Sequence, residues 1–171
     1  EDKERVEEKI KRSLEEARRE AERVRDKLRK SEEEIDRVMK RVLAEIDRVL
    51  KEVKEAGVSE DVDRRLEELL RTLERKVREL RKDSDEVRKT LEDLVRRNEE
   101  DNRRILEELR REDRDSKELE DIVRRLEERN RRTVEEVERL VDEHNKRLRE
   151  AAKELKKLVD DLERKLREDT R

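Results

Sequence analysis

The residues of this chain with the clearest chemical potential are two serines and its single histidine: Ser31, Ser84 and His144. A serine beside an imidazole is the pair from which many hydrolases build an activated nucleophile. Such a site also needs a group that orients the imidazole, donors for an oxyanion and a pocket for the substrate. The sequence offers no carboxylate at a neighbouring core position and no glycine-rich turn nearby. We therefore interpret the three side chains as one buried hydrogen-bonding layer, and we predict that the chain is not an enzyme.

Three asparagines form a second group of polar residues at positions where apolar residues are otherwise found. The spacing that aligns the apolar residues places Asn98 opposite Asn130, with Asn102 near Ser13. A buried amide without a partner costs about 1–3 kcal/mol, so we expect these side chains to hydrogen-bond to one another. Because layers of Leu and Val closely resemble each other, a polar layer that must meet its partner penalises a shifted register.

Other site chemistries have little support in the sequence. One histidine and no cysteine make a poor ligand set for a transition metal, and no cofactor-binding motif is present. Basic and acidic residues, 52 and 55 of them, are intermixed, and there is no aromatic side chain on which a base could stack. No apolar run is long enough to span a membrane. We predict no catalytic, cofactor-binding or metal-binding residue, no cofactor, and no nucleic-acid, membrane or small-molecule partner.

The composition points to packed helices. Charged residues make up 63% of the 171 residues and hydrophobic residues 29%, which is far from the balance of an ordinary globular domain. Low hydrophobicity with high charge also occurs in disordered chains. Here, however, the net charge is only −3 and the apolar residues are strictly periodic, so long helices that pack on one another are favoured.

The period of the apolar residues is that of an unstrained α-helix. Core-type side chains recur in alternating steps of four and three residues, and in the last third of the chain they fall at Leu126, Asn130, Thr133, Val137, Leu140 and His144. The stripe repeats after 18 residues, which is five turns at 3.6 residues per turn. A heptad stripe, at 3.5 residues per turn, would instead impose a left-handed supercoil. We predict long, nearly straight helices.

Two stretches are typical of turns. Gly57 is the only glycine and suits the position that follows a helix end, and Ser59 can cap the next helix. In the second stretch, near residues 113–116, either Asp115 or Ser116 can cap the helix that follows. These turns, near 57–59 and 113–116, predict helices over about 2–56, 60–112 and 117–169. Cap-like patterns within the segments, such as the one at Ser84, would allow six shorter helices, but the apolar stripe keeps its phase through them.

Short turns make consecutive helices antiparallel neighbours. In that arrangement the residues form layers that are apolar on all three helices, for example Ile10/Ile105/Val123, Val24/Leu91/Val137, Leu28/Val87/Val141, Ile35/Leu80/Leu148 and Val42/Leu73/Leu155. We predict an all-α fold, an antiparallel up-down-up three-helix bundle in which residues 1–171 form a single domain. The sequence leaves the handedness of the bundle open.

The whole chain resembles de novo designed helical bundles with parametrically generated backbones. The features that carry the resemblance are the 18-residue repeat, the Leu, Ile, Val and Ala core, and Glu, Arg and Lys filler such as RRLEELLRTLERKVREL at 64–80. The polar layers resemble the hydrogen-bond networks built into such proteins. The resemblance implies a hyperstable, monomeric scaffold with no natural activity, substrate, cofactor or partner, soluble and cytoplasmic in an expression host. It is one of style, so no functional residues carry over.

A second hypothesis is a helical interaction module that docks a further helix or self-associates. It is motivated by apolar residues outside the main stripes: Met39, Leu43, Leu50, Leu70, Val95, Leu106 and Val134. These side chains either flank the core or form an outward apolar strip, and the sequence does not distinguish the two arrangements.

Overall fold

Three long helices make up nearly all of the protein. The computed structural model describes residues 2–57, 60–111 and 113–169. Its helices are α1 (Asp2–Glu55), α2 (Glu60–Arg111) and α3 (Ser116–Asp169), and that part of the chain contains no strand. The all-α three-helix fold predicted from the sequence is confirmed, and the helix bounds lie within one residue of the predicted ones.

The helices run without interruption because the chain contains no proline and is rich in Glu, Arg, Lys and Leu, which are strong helix formers. Ser31 lies inside α1 and Ser84 inside α2, so the cap-like patterns around them do not begin new helices. Arginines one turn from a carboxylate support the exposed faces, as in the Glu128–Arg132 pair at 2.9 Å. Each such pair adds only a few tenths of a kcal/mol.

The first turn uses the conformational freedom of Gly57. Its φ is +66°, a left-handed conformation that side chains disfavour and glycine tolerates. The amide of Ala56 donates to the carbonyl of Glu52 at 3.0 Å, and the amide of Gly57 donates to the carbonyl of Lys54 at 3.4 Å. Gly57 thus follows the end of α1, as the sequence predicts, whereas the predicted cap at Ser59 lies outside the described residues.

The second turn shows which residue caps α3. Asp115 Oδ1 accepts a hydrogen bond from the backbone amide of Glu118 at 2.8 Å, and the Asp115 carbonyl accepts one from the amide of Leu119 at 3.1 Å. These are the bonds of an N-cap residue. Of the two candidates from the sequence, Asp115 is the cap and Ser116 is the first residue of the helix.

The chain forms two compact units, each of which contains a segment of all three helices. Unit 1 comprises Glu1–Leu28 and Glu86–Glu143, and unit 2 comprises Arg29–Asp85 and His144–Arg171. Within unit 1, one apolar cluster contains Val6, Ile10, Leu109, Leu119, Val123 and Leu126, and another contains Val24, Leu28, Val87, Leu91, Val137 and Val141. The second cluster unites two of the layers expected from the repeat.

Ion pairs across the helices of unit 1 report how the helices run. Arg18 pairs with Glu99 at 2.8 Å and Arg25 with Glu92 at 2.6 Å. As the residue number rises along α1 it falls along α2, so these two segments are antiparallel.

Unit 2 has its own apolar core. Its larger cluster contains Ile35, Met39, Val42, Ile46, Leu73, Leu148, Leu155 and Val159, and a smaller one contains Val49, Val53, Leu66 and Leu166. Layers expected from the repeat recur here too: Val42, Leu73 and Leu155 belong to one cluster, and the half-buried Leu80 packs against it.

The apolar residues outside the main stripes flank the core. Met39 is buried, Leu50, Leu70, Val95 and Leu106 pack against apolar clusters, and Leu43 and Val134 are half-buried. No large hydrophobic side chain is exposed among the residues that the structure describes. An outward apolar strip is therefore not formed by these side chains. Within the same residues, no helix combines the length and apolarity needed to cross a membrane.

Candidate functional site

Unit 1 contains a buried hydrogen-bond network centred on Asn130 of α3. Asn130 Oδ1 accepts hydrogen bonds from Asn98 Nδ2 at 2.9 Å and from Asn102 Nδ2 at 2.7 Å, both on α2. Asn130 Nδ2 donates to Ser13 Oγ on α1 at 2.8 Å. The exposed fractions of Asn98, Asn102 and Asn130 are 6%, 1% and 3%. One carboxamide therefore links all three helices of this unit, through three buried asparagines and the half-buried Ser13.

The geometry of this network follows from helix periodicity. Asn98 and Asn102 are four residues apart, so they lie on the same face of α2. Both can therefore reach the one carbonyl oxygen of Asn130, which has two lone pairs. Thr133, one turn from Asn130, donates to Asn98 Oδ1 at 3.3 Å. One acceptor is left over, because Asn102 Oδ1 is buried and has no hydrogen-bond partner within the described residues.

Unit 2 contains a smaller polar cluster, formed by Ser84 of α2 and His144 of α3. Ser84 Oγ lies 2.7 Å from His144 Nε2, and the two residues are 6% and 1% exposed. The other ring nitrogen, His144 Nδ1, is buried and finds no partner in the part of the chain that the structure describes. A buried N–H without an acceptor is rarer in proteins than an acceptor without a donor. This favours the tautomer in which Nε2–H donates to Ser84 Oγ and Nδ1 carries a lone pair.

That tautomer bears on the chemistry open to the pair. A histidine that activates serine must accept the hydroxyl proton at Nε2, while an acceptor holds the proton on Nδ1. No such acceptor is found for His144 Nδ1 among residues 2–57, 60–111 and 113–169. In the favoured tautomer Ser84 is the acceptor of the bond, and its hydroxyl is not deprotonated.

The environment of His144 favours the neutral imidazole. Burial lowers its pKa below the ordinary value of 6.5, the positive charge of Arg147 lowers the pKa further, and the carboxylate of Asp83 acts in the opposite direction. Desolvation disfavours the charged form of any ionisable group. At neutral pH the ring is therefore uncharged, as its place in the core requires.

Ser31, the third residue expected in this layer, is not part of the pair. Its side chain is half-buried, and within the described residues it makes no hydrogen bond to Ser84 or His144. A serine carries its hydroxyl only one atom beyond Cβ, so it spans two helices only where their backbones are close. A half-buried hydroxyl can instead be hydrated, so its position carries no large penalty.

Sequence reasoning missed Asn145, a further buried polar residue. It is 3% exposed, and its Oδ1 has no hydrogen-bond partner in the described ranges. Asn145 lies one residue off the apolar stripe, four residues after Val141 and three before Leu148, both of which are core positions. A stripe wider than one residue per turn includes such flanking positions, and that is the signal that points to it.

Each polar cluster adjoins a surface cavity. In unit 1, a groove of about 920 Å³ between α1 and α3 includes Ser13 and Asn130 in its lining. In unit 2, a cavity of about 230 Å³ includes Ser84 in its lining, with Leu148 and residues of α1 and α2. No group of three or more metal-ligating side chains was found among the described residues.

The chain matches no protein-family model, no curated protein and no solved structure. Functional residues therefore cannot be transferred from a relative, and function must be inferred from the side chains themselves.

Proposed function

We propose that this chain is a designed structural scaffold without enzymatic activity, in which buried polar side chains select one register of the helices. The observation that carries the proposal is the carboxamide of Asn130, which binds Asn98 and Asn102 through one atom and Ser13 through another. If α2 slid by one turn, at most one of the two amide donors would still face the Asn130 carbonyl. The short turns limit larger shifts, so the polar clusters need only exclude slips of a turn or so.

The energetics favour specificity over stability as the role of these residues. A satisfied hydrogen bond adds only about 1 kcal/mol net, while each buried group left without a partner costs about 1–3 kcal/mol. The aligned network already leaves Asn102 Oδ1 without a partner within the described residues, so its net gain is small. A shifted register would strand several amides at once. A buried polar group that fixes register at some cost in stability is a known device in helical assemblies.

Regularity supports a designed origin. The three helices have 54, 52 and 54 residues, their stripes share the 18-residue repeat, and no large hydrophobic residue is exposed in the described part of the chain. Local sequence and fold agree at both turns, at Gly57 and at Asp115. Agreement between local sequence signals and the overall fold is a criterion by which sequences are designed.

The experiment replaces Asn98, Asn102 and Asn130 together by leucine. Because apolar residues of similar volume often match or exceed a buried polar group in stability, we expect unfolding by guanidinium to occur at the same or higher concentration. We also expect the ¹H–¹⁵N NMR spectrum to change from one set of amide signals to several sets or broadened signals. A triple variant with one sharp set of signals, and the original contacts between helices, would overturn the proposal.

The second candidate function is docking of a further helix or of a second copy. The groove between α1 and α3 of unit 1 favours it, since Val6, Ala17, Val123 and Val134 contribute to its lining. Against it, these residues are all at least half-buried already. Light scattering during gel filtration separates the two functions. The scaffold predicts the single-chain mass of 21.1 kDa up to high concentration, and a multiple of that mass would favour the interaction module.

A further inference from the structure

Unit 2 carries its one histidine at a point from which water is excluded. His144 is 1% exposed, its Nε2 is bonded to Ser84 at 2.7 Å, and its buried Nδ1 faces no partner among the described residues. The asparagine network of unit 1, by contrast, consists of amides and hydroxyls that do not titrate between pH 4 and 8. The two units thus differ in the chemistry of their polar clusters.

We propose that His144 makes unit 2 an acid-responsive part of the molecule: when the imidazole takes up a second proton, unit 2 opens locally around Ser84 and His144 to hydrate it, and unit 1 remains closed. This goes beyond the scaffold function, which does not require any response to pH.

The opening follows from where the second proton goes. Both neutral tautomers give the same imidazolium, which carries N–H groups on both nitrogens. Nε2–H can still donate to Ser84 Oγ, but within the described residues Nδ1–H would have no acceptor. A buried cation whose hydrogen bonds are incomplete is costly, so the imidazolium is stable only where water reaches Nδ1. Ser84, which bonds Nε2, lines a cavity of about 230 Å³ whose lining does not include His144. Water therefore reaches Nδ1 only when the packing around the pair opens.

The charged groups around the pair come from all three helices. They are Glu32 and Asp36 on α1, Arg81, Asp83 and Asp85 on α2, and Arg147 on α3. Glu32, Asp36, Arg81 and Asp85 line the cavity beside Ser84. Arg147 disfavours the imidazolium and Asp83 favours it, and burial is the largest cause of the lowered pKa of His144.

The direction of the pH dependence follows from this lowered pKa. Above about 6.5, the ordinary pKa, neither the closed nor the opened form is protonated at His144, so this group leaves opening unaffected. As the pH falls below about 6.5 the opened form takes up a proton and the closed form does not. Opening therefore becomes more favourable, by at most about tenfold per pH unit. The increase ends when the pH reaches the lowered pKa of the closed form.

The first experiment is an NMR titration of the imidazole between pH 7.5 and 5, above the range in which most carboxylates titrate. Because the chain has one histidine, its Cε1–H gives a single signal. We expect a midpoint below 6.5, a higher midpoint in Arg147→Gln and a lower one in Asp83→Asn. Both substituted residues are exposed, so these variants should fold. A midpoint at 6.5 that neither variant moves would overturn the proposal.

The second experiment measures amide hydrogen exchange over the same pH range, corrected for the intrinsic rate. We expect protection in the part of unit 2 beside the pair, residues 144–151 of α3, to fall by up to tenfold per pH unit, and protection in residues 116–136 of unit 1 to stay constant. In His144→Leu the fall should disappear. Should His144→Leu fail to fold, His144→Gln serves as the variant without a titrating ring. Equal loss of protection in both units, or none in unit 2, would contradict the proposal.

Discussion

The side chain of Asn130 forms three of the four hydrogen bonds that a carboxamide can make. Its carbonyl oxygen accepts two hydrogen bonds and its amide donates one, and the three partners lie on the two other helices. Asn102 uses its side chain less well, since it donates one bond while Oδ1 has no partner within the described residues. Asn130 and Asn102 are both buried in the same network, but Asn130 is the hydrogen-bond partner of three other side chains and Asn102 of one.

This difference predicts unequal costs for the same substitution. Asn130→Leu strands the amides of Asn98 and Asn102, so we expect it to lower the free energy of unfolding by about 3 kcal/mol. Asn102→Leu removes one donor together with one acceptor that had no partner in the described residues, so we expect a change within about 1 kcal/mol. Urea unfolding of both variants is the measurement. Equal losses would show that Asn130 is not the centre of the network.

At the residue scale, the spacing of apolar residues predicts which core polar residues face each other across the helices. It does not predict which of them are close enough to bond, or which flanking polar residues are buried. The register that aligns Leu91 with Val137 also brings Asn98 to Asn130, because a helix repeats its geometry every turn. Ser31 and Asn145 depend on finer details. Whether a short hydroxyl reaches across depends on the distance between helices, and whether a flanking amide is buried depends on helix rotation. Neither quantity is encoded in the spacing of apolar residues.

At the scale of the helix, the end of α1 and the start of α3 each depend on one residue. Gly57 takes a φ of +66° after α1, and Asp115 caps α3 through the amide of Glu118. The helices themselves could be predicted from the sequence, because the apolar stripe is continuous and no proline breaks it. The choice between Asp115 and Ser116 as the cap could not, because both residue types cap well and are adjacent.

The cap gives a prediction at this scale. Asp115→Ala removes the acceptor for the Glu118 amide, so we expect the free energy of unfolding to fall by about 1 kcal/mol. Asp113 is an exposed aspartate in the same turn, and Asp113→Ala changes the charge in the same way without removing the cap. Its effect on urea unfolding should be within about 0.5 kcal/mol. A loss of the same size in both variants would mean that charge, rather than capping, is responsible.

At the scale of the whole molecule, the burial of apolar side chains provides most of the stability, and the exposed ion pairs add little. Among the described residues, the ion pairs lie at exposed or partly exposed positions, as for Arg25 and Glu92, where the carboxylate raises the pKa of the guanidinium. Pairs of this kind contribute little individually. The clusters of Leu, Ile and Val in each unit are shielded from water, and their burial is the main favourable contribution to folding.

We therefore expect helical circular dichroism to persist above about 80 °C, as it does in hyperstable helical proteins. Salt at 1 M reduces the Debye length to about 3 Å, which screens the exposed ion pairs. We expect that salt to change the unfolding temperature by only a few degrees. Complete loss of the helical signal below about 80 °C at low salt would contradict the prediction. A large fall of the unfolding temperature in 1 M salt would show that the stability comes from the ion pairs.

The most direct test of the central claim measures the register of α2 against α3 in unit 1, the two helices that the amides of Asn98, Asn102 and Asn130 join. Spin labels on cysteines introduced at Lys89 and Arg125, both exposed, report a distance along the helices that changes when one helix slides by a turn, or 5.4 Å. With all three asparagines present we expect one narrow distance distribution. With Asn98, Asn102 and Asn130 replaced by leucine we expect a broad or multiple distribution. The same narrow distribution in both proteins would show that the buried amides do not set the register.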